Sequence, residues 1–473
     1  MTMRRRDALK SIGGLAGAAA MSRFLPGCGG NDAPTGITTY VYMMMENRSY
    51  DHYFGSRSMI EGLAGNGPTA GATNPDLQGA PVPLWLPNQQ QMCDPDPPHG
   101  WDALHASWNM GACDGFVKEH QKDYPGAIDP MQYLTRDMLP VSYALADAYT
   151  SCDRWFCSVM GPTWPNRFYW HTGTSGGLMT NEIPTNGGIS WPTIYHRLND
   201  KKVEWTYYYG SIPVVGVVNG LVTDGPNGSR IKRFEQFMLD AAAGTLPPVV
   251  YIDPAFYEND DHPPIHPING QELIATVYKA LASSPQWNNI MFVLTYDENG
   301  GFYDHVSPPN GVPDDNAATG FDQLGFRVPA LVMGPYAKQG QVVSTEYNHA
   351  SALAHLQNVF ELENLTMRTA AATDLTDCID MERLMKNDPA PPIELPDVDV
   401  TAWPMPAACT YQGGGAVAPP GGGAPHLDPI SEWANKYPER VAGMDLRGET
   451  ATYRKHIRDY LRDGVLPNGK RQR

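Results

Sequence analysis

Short runs of β-branched and aromatic residues recur along the chain and predict the strands of a sheet. The clearest runs are Ile37–Met45, Val203–Tyr209, Pro248–Ile252, Ile290–Tyr296 and Val328–Met333. Three of these runs have almost continuously apolar cores, which is typical of strands buried on both faces. Between the third and fourth runs, Gly270–Ser284 has its apolar residues on one face and predicts a helix. The strand–helix–strand order predicts an α/β fold with a mostly parallel sheet covered by helices in three layers, α/β/α.

Polar and acidic residues follow three of these predicted strands directly. They are Glu46-Asn47, Asp253 and Asp297-Glu298. Ligand sites of open α/β sheets form at the carboxyl ends of the strands, so the three groups are expected to share one acidic pocket. The residues alone leave a second interpretation open for the first pair, because Asn47 or Ser49 is equally suited to begin a helix after the strand.

The first thirty residues have the pattern of a targeting segment. Residues 5–10 resemble the twin-arginine export motif, and an apolar stretch follows that is too short to span a bilayer. Leu25–Cys28 then resembles a lipobox, in which Cys28 becomes lipidated; a plain signal peptide cut near Ala20 is the alternative. We therefore expect export across a bacterial inner membrane, to a periplasmic, lipid-anchored or secreted location.

The net charge of the chain indicates which classes of ligand it is suited to bind. The formal net charge of −17 argues against nucleic acid, which is held by clustered Lys and Arg. It is compatible with a divalent cation, since carboxylates are the ligands of hard cations. Six cysteines remain once Cys28 is set aside. In an oxidising compartment, proximity in sequence suggests the disulfides Cys93–Cys113, Cys152–Cys157 and Cys378–Cys409.

The chain divides into four predicted regions. They are the signal peptide at 1–30, a catalytic domain at 36–410, a Gly/Pro-rich linker at 411–426 and a C-terminal helical tail at 427–473. Within the catalytic domain, the Gly/Pro/Asn-rich stretch Glu61–Pro98 predicts an irregular insertion. In the tail, Thr452–Asp463 has the apolar spacing of an amphipathic helix.

Three further segments are dense in acids, histidines and hydroxyl groups. In Gly161–Arg167, Thr163 lies between two prolines on a turn whose backbone is not expected to join a helix. A hydroxyl on such a turn suits covalent catalysis, although a simple Pro-rich turn is the alternative. Glu258–Pro264 places acids beside His262, as a general acid/base or as a solvated turn. In Thr295–Val306 adjacent carboxylates would repel each other without a cation between them.

Together these segments resemble the non-specific phospholipase C / acid phosphatase family of bacteria and plants. The motifs, in order, are ENRSYDHYFG, HGWDALHASWNMGACDGF, GPTWPNRFY, ENDDHPPIHPINGQ and TYDENGGFYDHVSPP. The resemblance extends from about Thr38 to about Leu362. It implies an alkaline-phosphatase-like core, which agrees with the three-layer prediction made from the strands.

The resemblance also implies a role for each matching residue. The implied ligands of one divalent metal are Glu46, Asn47, Thr163, Asp297 and Glu298. Thr163 is the implied nucleophile, which forms a phosphothreonine that water hydrolyses. His262, oriented by Asp260 or Asp261, is the implied proton donor to the departing alcohol. The remaining implied residues of the site are His99 and His305 as catalytic groups, with Arg167, Asn166 and Asp260 on the substrate.

The expected reaction is hydrolysis of phospholipid-type phosphodiesters by a phospholipase C, with a phospholipid or a small phosphate ester as substrate. Peripheral contact with a membrane is expected through the lipid anchor or the substrate. Two alternatives stay open: an acid phosphatase that acts on small phosphomonoesters, and a surface lipoprotein that binds a metal or ligand without turnover. Oxygen ligands favour calcium or magnesium, and zinc, manganese and iron are not excluded. The sequence does not indicate an oligomeric state.

Overall fold

A computed structural model describes residues 36–93, 95–221, 225–398, 429–442, 444 and 450–472. The predicted signal peptide with Cys28 and the predicted linker at 411–426 lie outside these residues, so both stay predictions. Among the helices of the described part, none is long and apolar enough to cross a membrane.

The described residues form twelve strands, eight of which make up a large sheet at the centre of the fold. The strands are β1 (Thr39–Met45), β2 (Thr73–Pro75), β3 (Pro81–Pro83), β4 (Thr150–Cys152), β5 (Trp155–Phe156), β6 (Trp205–Tyr209), β7 (Ile231–Arg233), β8 (Val249–Asp253), β9 (Ile290–Tyr296), β10 (Ala330–Met333), β11 (Val342–Val343) and β12 (Tyr347–Asn348). Their order across the large sheet is β11-β4-β10-β9-β1-β8-β6-β7. β10 pairs antiparallel with β9 and β4, whereas the other pairs are parallel. The sheet is therefore mostly parallel, as predicted.

Helices cover the sheet in two sets. The α-helices are α1 (Tyr50–Met59), α2 (Trp101–Trp108), α3 (Phe116–Asp123), α4 (Pro140–Ala148), α5 (Thr163–Thr172), α6 (Pro184–Gly187), α7 (Ile194–Asp200), α8 (Phe234–Ala243), α9 (Pro267–Ala282), α10 (His349–Phe360), α11 (Met367–Ala371), α12 (Met381–Lys386), α13 (Pro429–Lys436) and α14 (Thr450–Asp463). Helices α4, α8 and α14 pack against α9, whereas α7, α10 and α13 pack against α5. This arrangement confirms the predicted α/β/α class.

The five strands predicted from apolar runs are all present, as β1, β6, β8, β9 and β10. β1 and β9 are buried along their whole length, which explains their continuous apolar pattern. The helix predicted at Gly270–Ser284 begins three residues earlier, because the His266 side chain caps its first turn by accepting from the Ile268 amide. The predicted insertion at Glu61–Pro98 contains only the small β2–β3 hairpin and one 3₁₀ turn among its described residues.

The predicted disulfides are wrong. Cys113, Cys152, Cys157 and Cys378 are all free and buried, so none of the three predicted pairs forms. Cys93 is disulfide-bonded, but not to any of these four residues. The Sγ atoms of Cys152 and Cys378 lie 3.8 Å apart although the two residues are distant in sequence. Proximity in sequence did not predict this contact, because β4 ends beside the segment around Cys378, which is more than two hundred residues away in the chain.

Candidate active site

The acidic residues predicted at strand ends do converge. β9, β1 and β8 are neighbours in the sheet, and β1 and β9 stay in register to their last residues. Glu46 and Asn47 follow β1, Asp297 and Glu298 follow β9, and Asp253 ends β8. All five side chains are buried. The parallel order of the sheet therefore brings carboxylates from three strands to one edge, as the sequence predicted. We call this place, formed by Glu46, Asn47, Asp253, Asp297 and Glu298, the acidic edge.

The segment after β1 divides the two functions that the sequence left open between Ser49 and Asn47. Ser49 caps helix α1, because its Oγ accepts from the His52 amide at 3.1 Å. Asn47 takes a left-handed conformation with φ of 60°, and its amide donates to Asp297 Oδ1 at 3.1 Å. Gly300 must be glycine at this point, since a Cβ there would lie 2.3 Å from the Asn47 carbonyl oxygen. The cap thus falls to Ser49, and the Asn47 side chain is left to face the site.

Arg167 lies at the centre of the acidic edge. Its guanidinium is fully buried and forms ion pairs with Glu46 at 3.2 Å, Asp297 at 3.3 Å and Asp253 at 3.5 Å. The predicted role of Arg167 in holding phosphate oxygens stays a prediction, because the contacts of this side chain are with carboxylates. What the structure shows is a buried counter-ion that holds three strand ends together.

Thr163 is the first residue of helix α5, which corrects the prediction that its turn would not join a helix. Pro162 lies at the N-cap and Pro165 within the first turn, where a missing amide hydrogen costs nothing. Asn166 fixes the turn: its Nδ2 donates to the carbonyls of Val159 and Gly161 at 3.1 and 2.9 Å, and its Oδ1 accepts from the Val159 amide at 3.0 Å. Asn166 therefore shapes the backbone before Thr163, and the prediction that it binds substrate stays a prediction.

Three buried oxygen atoms at this edge, Asn47 Oδ1, Asp297 Oδ2 and Glu298 Oε1, have no hydrogen-bond partner within the described part of the chain, although Asp297 Oδ2 lies 3.3 Å from Arg167 Nε. Thr163 Oγ1, four residues before Arg167 on α5, is likewise buried and has no such partner there. Burial raises the pKa of the Asp297 carboxyl and raises that of Glu298 to about 8, so charge at this edge is costly without a cation. Carboxylate, amide and hydroxyl oxygens are the ligands of hard divalent cations. The residues present therefore fit the predicted metal, and its identity stays open.

His99 lies beside these oxygen atoms. Its Nε2 is 3.5 Å from Asn47 Nδ2 and 3.8 Å from Glu298 Oε1, and its Nδ1 is 2.8 Å from the Pro97 carbonyl oxygen. Burial alone would lower the pKa of His99, but the carboxylates of Asp96 and Glu298 raise it well above the ordinary value. The two neighbouring carboxylates therefore favour the protonated form of the His99 imidazole at the border of the acidic edge.

His262 faces the same pocket from the loop after β8. Its Nδ1 lies 2.6 Å from the Pro263 carbonyl oxygen, which leaves Nε2 directed towards Asp96 Oδ2 at 3.9 Å. The His262 and His99 rings meet edge to face with centroids 5.9 Å apart. Asp96, His99 and His262 together form a compact group of potential metal or proton ligands. The structure therefore brings both predicted histidines to one place, with Asp96 between them.

The acids next to His262 have other contacts. Asp260 Oδ1 and Oδ2 accept from the backbone amides of His262 and Tyr257, so this side chain shapes the loop. Asp261 accepts from the hydroxyls of Tyr53 and Tyr296 at 2.7 and 2.6 Å, and burial raises its pKa to about 6. The prediction that Asp261 orients the imidazole is therefore corrected, since its carboxylate lies between two tyrosines.

His305 belongs to a separate cluster. Its Nδ1 lies 2.7 Å from Asp51 Oδ2, and the guanidinium of Arg327 bonds both Asp51 and Asp304. None of the contacts found for His305 in the described residues reaches Thr163 or the metal-site oxygens. The structure thus does not bring His305 to the predicted site.

Sequence reasoning missed two residues at this site. Asp96 lies three positions before His99, and that spacing in Asp-Pro-Pro-His was the available signal. His349 begins helix α10, and its Nε2 lies 2.6 Å from the Asp297 carbonyl oxygen. Burial lowers the pKa of His349 to about 3, so its imidazole is neutral and can donate this bond. Nothing in the sequence around His349 marks it, because its link to Asp297 exists only in the fold.

Comparison with known sequences supports a phosphoester hydrolase. A family model described as "Phosphoesterase family" matches residues 37–363. "Non-specific phospholipase C6" of Arabidopsis thaliana is 33% identical over 396 residues, covering 76% of this chain and 75% of the relative. "Phospholipase C B" of Mycobacterium tuberculosis (strain ATCC 25618 / H37Rv) is 33% identical over 405 residues, covering 72% of this chain and 77% of the relative.

Solved structures add little to this result. A protein in the alkaline phosphatase superfamily from Vibrio parahaemolyticus is similar over 77% of this chain and 78% of its own, with 11% identity and a TM-score of 0.35. A score at this level supports no further argument. The family match covers most of the described catalytic region, and all five motifs quoted from the sequence lie within it. The chain therefore belongs to the phosphoesterase family and is a hydrolase.

Proposed function

We propose that this protein is a phospholipase C that hydrolyses phospholipid-type phosphodiesters through a phosphothreonine at Thr163. The observation that carries the proposal is the Thr163 hydroxyl, which is buried at the start of α5 without a hydrogen-bond partner among the described residues. Arg167 lies one helical turn later, and its ion pairs with Glu46 and Asp297 hold this face of α5 against the acidic edge. The two relatives named as phospholipases C support the choice of substrate.

Each residue of the proposed site has a separate role in the reaction. Thr163 Oγ1 attacks phosphorus while the bond to the diacylglycerol oxygen breaks, and His262 gives that oxygen a proton. Water then cleaves the phosphothreonine and releases the phosphorylated head group. The metal, held by Glu46, Asn47, Thr163, Asp297 and Glu298, would lower the pKa of the hydroxyl and neutralise charge on the phosphoryl oxygens.

Asp96 replaces Asp260 and Asp261 as the proposed partner of the proton donor. Its carboxylate lies between His262 Nε2 and His99 Nδ1, at 3.9 and 3.4 Å. The Pro263 carbonyl oxygen fixes the tautomer of His262 by taking the hydrogen of Nδ1, so Nε2 is the atom that exchanges protons. Export by the twin-arginine route, with or without lipidation of Cys28, is a further part of the proposal and is supported by the sequence alone.

The experiment compares substrates and variants on the full-length protein. Phosphatidylcholine and chromogenic mono- and diesters are assayed with chelator and with metal added back. We expect diester turnover that the chelator abolishes, and a loss of at least about 10³-fold in Thr163→Ala with an unchanged melting temperature. Thr172→Ala, at the other end of α5, is the matched control and keeps turnover.

The alternatives predict different results. Turnover of phosphomonoesters alone would replace the phospholipase assignment with an acid phosphatase. Full hydrolysis by Thr163→Ala would remove the proposed nucleophile. Metal binding without turnover of any ester would favour the non-catalytic lipoprotein. Mass spectrometry of a rapidly quenched reaction checks the intermediate directly, since the phosphoryl group should be found on Thr163.

A further inference from the structure

The C-terminal helices α13 and α14 lie beyond the region matched by the family, which ends at residue 363. They are nevertheless part of the main hydrophobic core. Their buried side chains in that core are Ile430, Trp433, Ala434, Tyr453, Ile457 and Tyr460. This part of the tail is thus packed onto the catalytic domain and is not a detached appendage.

Helix α14 touches the loop that carries His262. The Asn259 amide donates from Nδ2 to the Tyr453 hydroxyl at 3.1 Å, and both residues are buried. Asn259 Oδ1 in turn accepts from the Ala255 amide at 2.9 Å, so the amide links α14 to the backbone just after β8. Arg454 of α14 forms an ion pair with Glu258. Two consecutive loop residues, three and four positions before His262, are therefore held by two consecutive tail residues.

Helix α14 also contacts the helix that follows this loop. The loop leads directly into α9, along which α14 packs. Arg458 lies 3.3 Å from Glu272 of α9, and Lys279 of α9 donates to the Leu461 carbonyl at 2.6 Å. The last carbonyls of a helix lack partners within the helix, so a lysine there stabilises the contact. Helix α14 consequently contacts the loop before His262 and the helix that follows this loop.

The loop has a physical need for such support. Tyr257 and Asp261 have positive φ values of 60° and 77°, which are costly for residues other than glycine. A strained backbone persists only where its surroundings hold it. The bond from Asn259 to Tyr453 starts between these two positions in sequence, and both of its residues are buried.

Helix α13 reaches the second catalytic segment. The Trp164 indole donates to the Pro429 carbonyl at 3.0 Å, and the Trp433 ring packs edge to face on Trp164 at 5.4 Å. Trp164 directly follows Thr163. The tail therefore contacts the neighbour of the proposed nucleophile as well as the loop of the proposed proton donor.

We propose that the C-terminal helices complete the active site, and that Tyr453 is a positioning residue for His262 through Asn259. The inference rests on the proposed function, because it assumes that His262 protonates the leaving alcohol. Loss of the Tyr453 hydroxyl leaves the buried Asn259 amide without its acceptor, and the loop relaxes. His262 Nε2 then lies less often within hydrogen-bond distance of the leaving oxygen. Protonation of the leaving group therefore becomes slower, whereas the attack by Thr163 is unchanged.

The test uses the dependence of the rate on the leaving group in the full-length holoenzyme. An alkoxide leaving group needs the proton of His262, whereas p-nitrophenolate leaves without it. Tyr453→Phe is expected to lower kcat about tenfold for phosphatidylcholine and less than about twofold for a p-nitrophenyl diester. Tyr460→Phe is the matched control: it removes the same group from the same helix, where the hydroxyl bonds Gln472, and should leave both rates unchanged.

A double-mutant cycle with His262→Ala separates positioning from general loosening. Tyr453→Phe should have no further effect once His262 is absent. An equal loss with both leaving groups, no loss with either, or an undiminished loss in the His262→Ala background would overturn the positioning role while the proposed function stands. If His262→Ala itself turns over both substrates at the wild-type rate, His262 is not the proton donor and the positioning role fails with it, whereas the phospholipase activity and the Thr163 nucleophile stand.

Discussion

Two groups of aspartate and histidine lie near the sheet edge, and they differ in how many of their polar atoms are paired. In the first group, Asp96, His99 and His262, the His99 ring lies beside Asn47 and Glu298, whose Oδ1 and Oε1 atoms have no hydrogen bond among the described residues. The second group is Asp51, Asp304 and His305 with Arg327. There each carboxylate oxygen of Asp51 accepts a hydrogen bond, and Arg327 also donates to the carbonyls of Asn66 and Asp153.

The difference separates a site from a structural cluster of similar composition. Burial of polar atoms without partners is costly, so a protein tolerates it where a ligand or reaction will use those atoms. In the second group the carboxylates of Asp51 and Asp304 already have a counter-ion, the guanidinium of Arg327. They are therefore not left to bind a ligand. A density of acids and histidines in the sequence cannot distinguish the two cases, since the deciding residue lies more than twenty positions from His305.

The largest expected effect comes from exchanging the two histidines for alanine. His262→Ala should lower kcat for phosphatidylcholine by about 10²–10⁴-fold, the usual contribution of a general acid, with little change in melting temperature. His305→Ala should keep kcat within about threefold and lower the melting temperature instead. Steady-state kinetics and thermal unfolding of both variants measure the two effects.

Equal losses of kcat in His262→Ala and His305→Ala would contradict the distinction between a catalytic and a structural group. In that case the cluster around Arg327 would take part in the reaction, and the unpaired oxygens would not mark the site. The p-nitrophenyl diester serves as the internal control, because it does not need the proton and should be hydrolysed well by both variants.

The next effect concerns stability. Arg327→Met would leave the buried carboxylates of Asp51 and Asp304 without their counter-ion, which costs about 3–5 kcal/mol of unfolding free energy. Urea denaturation measures the loss. Lys386→Met is the control, since it removes a cation from a solvent-exposed pair with Glu382 and should leave the free energy of unfolding almost unchanged. A loss as small as that of the control would show that Arg327 does not hold the cluster together.

Several features of this fold could be predicted from local patterns. The apolar runs predicted all five strands, because a strand that is buried on both faces has apolar residues along most of its length. The acidic edge followed from strand order, since Glu46 and Asp297 each come directly after such a run. The family resemblance then supplied the chemistry, which residue types alone left open at Thr163.

Other features depend on contacts between distant segments and left no local signal. Asp96 became a candidate partner of His262 only in the fold, because the acids adjacent in sequence bond Tyr53, Tyr296 and the loop backbone. Cys152 meets Cys378 across more than two hundred residues, whereas Cys157, its neighbour in sequence, lies elsewhere. Side-chain direction within a loop is set by tertiary packing, and proximity in sequence does not report it.

The smallest expected effect is the pH dependence of the paired cluster. Burial alone would lower the pKa of His305, but its bond to Asp51 raises it above the ordinary value near 6.5. A group whose pKa is raised on folding adds stability that is fully present below pH 6.5 and is lost as the pH rises through the folded pKa. The free energy of unfolding of the wild type, minus that of His305→Ala, should therefore be larger at pH 5.5 than at pH 8.5. The change should stay below about 1 kcal/mol because the ring is partly exposed to solvent. An equal or larger difference at pH 8.5 would mean that the neutral imidazole is the form that Asp51 holds.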